Sequence, residues 1–94
     1  MRLTGIIWLE EIVDKLWSKH NVSQEEVEEL LAARAHYRFV ERGIREGEDV
    51  YAAMGRATSG RYLIVFFVYK DDGRALVVSA RDMTQSERKR YGKR

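Results

Sequence analysis

Arg61-Tyr62-Leu63-Ile64-Val65-Phe66-Phe67-Val68-Tyr69, followed by Lys70-Asp71-Asp72-Gly73-Arg74 and Ala75-Leu76-Val77-Val78-Ser79-Ala80, is the stretch that decides the fold. The first run is dominated by β-branched and aromatic residues and is too apolar to be exposed on both faces, so it reads as a strand at the centre of a sheet. Asp72-Gly73 supplies the positive φ that a tight hairpin turn requires, which returns Ala75–Ala80 antiparallel to it.

Working outward, His36–Glu41 and Asp49–Met54 show period-two alternation and read as two further strands joined by a turn over Gly43–Gly47. Beyond the last strand, Thr84 and Glu87 have the spacing of a capping box and open a helix over Thr84–Tyr91. Toward the N-terminus the pattern changes. Leu9, Ile12, Val13, Leu16 and Trp17 fall on one stripe of a helix that ends near His20-Asn21. Ser23 and Glu26 form a second capping box, with Val22 and Val27 spaced as a hydrophobic staple, so another helix starts immediately. Leu3–Trp8 reads equally as a short strand or as the buried lead-in to the first helix. The expectation is an α+β fold in one domain spanning residues 1–94: an N-terminal helical pair, an antiparallel sheet of about four strands and a C-terminal helix.

Composition narrows the function. The chain has 45% hydrophobic and 34% charged residues, within the globular range, and no Cys, which excludes disulfides and thiolate metal sites. The N-terminal region carries charges from Glu10 onward and has neither an export-signal core nor a spanning segment, so a cytoplasmic protein without membrane contact is expected. The net charge of +2 conceals an asymmetry. Residues 1–33 hold three Lys/Arg against seven acids, net −4, and residues 34–94 hold fourteen against eight, net +6. Eleven of those fourteen are Arg, whose planar fork suits phosphate, although a basic surface also serves solubility.

Candidate chemical groups are few. Histidine is the side-chain type that can serve as acid or base near neutral pH, which makes His20 a candidate, and Lys19 beside it can hold a phosphate, but the pair also reads as a helix-end cation favoured by the dipole. The other histidine, His36, reads as a half-buried or surface residue, and neither lies at ligand spacing from a partner, so no metal or other cofactor is expected. Gly55–Gly60 lacks the ending and the following helix of a phosphate-binding loop and reads as a hairpin loop. Arg61 opens the third strand and Arg81 closes the fourth, which puts both at one sheet end and predicts that their guanidinium groups converge. Such a pair needs an anion between them: Glu87, a substrate phosphate or, with less support because hairpin geometry places it at the far end, Glu48. Arg56, Arg88 and Tyr91 flank this end and are candidates for substrate binding.

Lys19-His20-Asn21-Val22-Ser23, Gly47-Glu48, Gly60-Arg61-Tyr62-Leu63, Ser79-Ala80-Arg81 and Glu87-Arg88-Lys89-Arg90-Tyr91 occur in the order and spacing of landmarks in the BrnT family of ribonuclease toxins, which the chain resembles from Trp8 to Tyr91. It departs from the family pattern at Leu9, where Asp is usual, at Asn21 in place of Gly, and at Val50 in place of Arg. The resemblance implies a RelE-like fold, metal-independent cleavage of cellular RNA that arrests growth, and neutralisation by a BrnA-like antitoxin, with higher-order toxin-antitoxin complexes possible. Together with the sheet-end reading, it makes Lys19, His20, Glu48, Arg61 and Arg81 the catalytic candidates. The alternative is a non-catalytic RNA- or protein-binding module on the same fold, consistent with the polarity lost at Leu9 and Val50.

Overall fold

Helix α1 (Glu10–His20) stops where Asn21 turns left-handed, at φ 54°. The Asn21 amide reaches the Trp17 carbonyl at 3.1 Å and the Val22 amide reaches that of Leu16 at 3.1 Å, which satisfies carbonyls the helix end would otherwise leave unpaired. Helix α2 (Gln24–Ala32) starts at once, because Ser23 Oγ accepts the Glu26 amide at 3.1 Å and the Ser23 amide donates to the Glu26 carboxylate at 3.0 Å. Val22 and Val27 are both fully buried, closing the staple.

The two helices cover one face of a five-stranded sheet formed by β1 (Gly5–Ile7), β2 (His36–Glu41), β3 (Asp49–Arg56), β4 (Tyr62–Tyr69) and β5 (Arg74–Asp82), in the order β1-β5-β4-β3-β2. Helix α3 (Gln85–Gly92) lies on the other face. This computed structural model describes residues 1–93. The expected sheet of four antiparallel strands becomes a mixed sheet of five: Gly5–Ile7 is a strand and runs parallel to β5, Gly5 opposite Arg74 and Ile7 opposite Leu76. The pairing begins at the hairpin turn, where Gly73 has φ +89° and the Thr4 amide donates to its carbonyl at 2.9 Å. Thr4 Oγ1 adds a bond to the Asp72 carbonyl at 2.9 Å.

The long apolar strand β4 occupies the sheet centre, and its parity sorts the core. Leu63, Val65 and Phe67 are sealed against Leu16, Val27, Leu30 and Leu31 of the helical pair. Ile64 and its neighbour Met54 are sealed on the opposite face by Met83, Tyr62, Phe66 and Tyr91. β3 contributes small residues so that α2 can come close: a methyl group at Gly55 would stand 3.1 Å from Leu30 Cγ. Gly55 and Arg56 extend β3, and the turn over Ala57–Arg61 is a hairpin, with Gly60 at φ +97°.

Adjacent positions on α1 differ sharply: Leu16 is 1% exposed and Trp17 59%. Leu16→Ala is expected to cost about 2–5 kcal/mol, through lost burial and the cavity left behind, whereas Trp17→Ala should stay within about 0.5 kcal/mol. Urea titration of the two variants checks this contrast, and a large loss for Trp17→Ala would contradict its exposed position.

Candidate functional site

Arg61 is the most heavily bonded side chain at the end of the sheet where β4 begins and β5 ends. Its Nε and Nη2 grip the Asp82 carboxylate at 3.1 and 3.2 Å, Nη1 donates to the Asn21 carbonyl at 2.6 Å and to Glu26 Oε1 at 3.3 Å, and Nη2 also donates to the His20 carbonyl at 3.2 Å. A guanidinium has five N–H donors, and all five are engaged. The Asp82 hydrogen bond is the main influence raising its pKa further. Glu26 in turn accepts from Ser59 Oγ at 3.2 Å, so the β3–β4 turn is tied to the start of α2. Lys19 is exposed and His20 half-buried at the last turn of α1, and the His20 carbonyl is held by Arg61.

Arg81 sits on the other face. It is the register partner of Ile64, so it points to the α3 side, whereas Arg61 shares the Leu63 side with the helical pair. The predicted convergence of the two guanidinium groups therefore does not occur. Both stand at one end of the sheet, but strand parity separates them and Asp82 lies between: its carboxylate holds Arg61 while its carbonyl accepts from Arg81 Nη1 at 3.1 Å. Glu87 takes Arg81 in a bidentate pair at 2.7 and 3.0 Å. That pair, joined by the Thr84 amide, holds the Glu87 carboxyl below its usual range despite partial burial. Three of the five Arg81 donors are thus used, leaving Nε and one N–H of Nη2 without a partner among the described residues. Its guanidinium also lies 5.4 Å from the centroid of the Phe66 ring.

The three substrate-binding candidates gather on a residue that sequence reasoning passed over. Arg88 stands 4.1 Å and Arg56 5.2 Å from the centroid of the Tyr62 ring, and the Tyr91 ring meets its edge at 6.1 Å. Arg56 is further fixed by its Nε bond to the Gly60 carbonyl at 3.2 Å. Gly60, Arg61, Tyr62, Asp82, Met83 and Arg88 line a shallow pocket of about 310 Å³ here. Tyr62 and Phe66 are four residues apart on the same side of β4, and that spacing was the available signal. His36 and Arg38 of β2 share this face by register, opposite Met54 and Ala52. Glu48 is not brought into the site. It precedes Asp49, which pairs with Tyr69 at the far end of β4, about 23 Å from Tyr62 at the usual rise of a strand. The Glu48 backbone instead packs against Gly43, where any Cβ would collide with it.

Among the described residues no three His, Asp or Glu side chains cluster as a metal site, and no helix is long and apolar enough to cross a membrane. Residues 8–87 match the family model described as ribonuclease toxin, BrnT, of type II toxin-antitoxin system. The chain belongs to the BrnT family. Membership makes it a ribonuclease toxin of a type II system, with an RNA target and an antitoxin partner. Among solved structures it is similar to the BrnT ribonuclease toxin of Brucella abortus, at 20% identity and a TM-score of 0.59 over 86% of this chain and 97% of that one, a likeness that shows the shared fold. No curated protein matches.

Arg61→Ala is expected to destabilise the domain by about 1–3 kcal/mol, because it strands the Glu26 and Asp82 carboxylates and two helix-end carbonyls, with about a quarter of the side chain exposed to moderate the loss; chemical denaturation measures it. For Glu87 the folded-state pKa lies below the ordinary 4.5, so its contribution is complete above pH 4.5 and is lost as pH falls through the folded value. Glu87→Gln should therefore lower the melting temperature at pH 7 and flatten its decline below pH 4.5, and an unchanged acid limb would show that the pair contributes nothing.

Proposed function

We propose that single-stranded RNA lies across the α3 face of the sheet and is cleaved, without a metal ion, at the sheet end where Arg81 and the Tyr62 pocket meet. The observation that supports this is the pairing of cations with rings on one face: Arg56 and Arg88 at Tyr62, and Arg81 at Phe66. Bases stack on aromatic rings or guanidinium planes while the cations follow the phosphates, the combination that binds single strands with little sequence preference.

In this scheme the RNA supplies its own nucleophile. The 2′-OH, reaching past the end of the sheet to the helix corner that Arg61 fixes there, loses a proton to His20, its oxygen bonds to the adjacent phosphorus, and the P–O5′ bond breaks. The products are a 2′,3′-cyclic phosphate and a 5′-hydroxyl, whose oxygen takes its proton from water while His20 returns its own to the solvent. The free donors of Arg81, with Arg88, Arg56 and Lys19, stabilise the charge that builds on the phosphate. Arg61 has no donor to spare and acts as a positioning residue, holding the helix end that carries Lys19 and His20. Glu48 has no part in this scheme. The antitoxin is BrnA-like and the pair works in the cytoplasm, where a larger toxin-antitoxin assembly can form.

A second reading, a binding module on the same fold, is favoured by the saturation of Arg61, which leaves one fewer phosphate ligand than the sequence suggested.

Purified protein should cleave single-stranded RNA with EDTA present and leave 2′,3′-cyclic or 3′-phosphate ends. A requirement for added Mg²⁺ with 5′-phosphate products would overturn the scheme. His20→Ala should slow cleavage by roughly 10²–10⁴ with little change in RNA affinity, as expected for loss of a proton acceptor. Arg81→Ala should weaken both cleavage and binding, and Arg81→Lys should restore only part, since Lys lacks the planar fork. RNA binding without cleavage in any buffer would establish the second reading.

A further inference from the structure

We propose that the groove between α1 and the start of α2 docks the antitoxin through an amphipathic segment whose apolar side is flanked by Lys or Arg. This rests on membership of the toxin-antitoxin family, which supplies the protein partner. Leu9, Val13 and Trp17 recur every four residues and form a stripe on the outer shoulder of α1, with Leu9 41% and Trp17 59% exposed. Single exposed apolar residues are ordinary, but a Trp in a stripe beside a concavity is the kind of anchor that carries binding energy. The concavity is a groove of about 310 Å³ lined by Val13, Trp17, Val22, Ser23, Gln24 and Glu25.

Charge selects the occupant. Exposed Glu10 and Asp14 follow Leu9 and Val13 along one rim, and exposed Glu25 forms the other. These belong to the acidic residues 1–33, so the rims of the groove attract a basic segment. It also lies on the helical side of the sheet, away from the cations of the α3 face. His20 follows Trp17 by three residues on the same side of α1, so a segment lying along the stripe ends over the helix corner that carries His20 and Lys19. Docking here covers the proton acceptor of the proposed reaction without competing for the phosphate-binding arginines.

The test is binding of the protein encoded beside the toxin to wild type, Trp17→Ala and the double variant Glu10→Lys/Asp14→Lys, by calorimetry at two salt concentrations. Trp17→Ala should weaken binding about 10- to 100-fold, and the double variant should weaken it and lose the salt dependence, while both retain RNA cleavage in the absence of antitoxin. In a Trp8→Phe background the emission of Trp17 should shift to the blue when antitoxin is added. Wild-type affinity in both variants overturns the groove as docking site and leaves the toxin-antitoxin reading standing. Failure of the neighbouring protein to bind wild type overturns both. A blue shift that grows with toxin concentration alone assigns the groove to a second copy of the chain and overturns the proposal.

Discussion

The guanidinium of Arg61 is the joint at which three elements meet. Each α-helix leaves its last carbonyls without a partner inside the helix, and at the corner between α1 and α2 a side chain from the sheet takes them up. Arg61 supplies two of those bonds, to His20 and Asn21, while its charge is balanced by Glu26 at the start of α2 and Asp82 at the end of β5. Glu26 is also the reciprocal member of the capping box at Ser23, so the same carboxylate starts a helix and fixes it to the sheet. Because β4 begins beside Arg61, the position of the helical corner relative to the central strand is set by side-chain bonds as well as by the packing of Leu16 and Val22.

Strand parity then divides the labour of the molecule. One face of β4 is spent on a closed core with the helical pair, and the other is only partly covered by a short helix whose own surface is mostly polar. Aromatic rings on that second face keep cations close to them, which gives the basic half of the chain an ordered platform in place of a diffuse charge. The acidic helical pair stands behind it. The asymmetry visible along the sequence thus becomes an asymmetry between the two sides of one sheet.

What could be read in advance was what local chemistry decides. Ser23 with Glu26 and Thr84 with Glu87 form the capping boxes their spacing announced, Asn21 closes α1, and the apolar run from Leu63 to Val68 is central because no other place would cover it. Three features escaped. Gly5–Ile7 is too short to show a period, and its partner lies some seventy residues away at Arg74–Leu76, so only the assembled sheet defines it as a strand. The separation of Arg61 from Arg81 depends on parity, which a shift of one residue in the register would reverse. Tyr62 could be placed on the central strand but not at the site, since nothing in the sequence says that Arg56 and Arg88 approach its ring.

The clasp between Thr4 and the Asp72–Gly73 turn joins residues 68 positions apart. Closing a loop of that size carries an entropic cost of several kcal/mol before any contact offsets it, and such non-local pairings tend to form late. During synthesis the first strand must wait, unpaired, until β5 has left the ribosome, and the α3 face cannot be assembled before the same moment. The strand that is made first is thus the last to find its place in the sheet, because the order of the strands ties its pairing to β5.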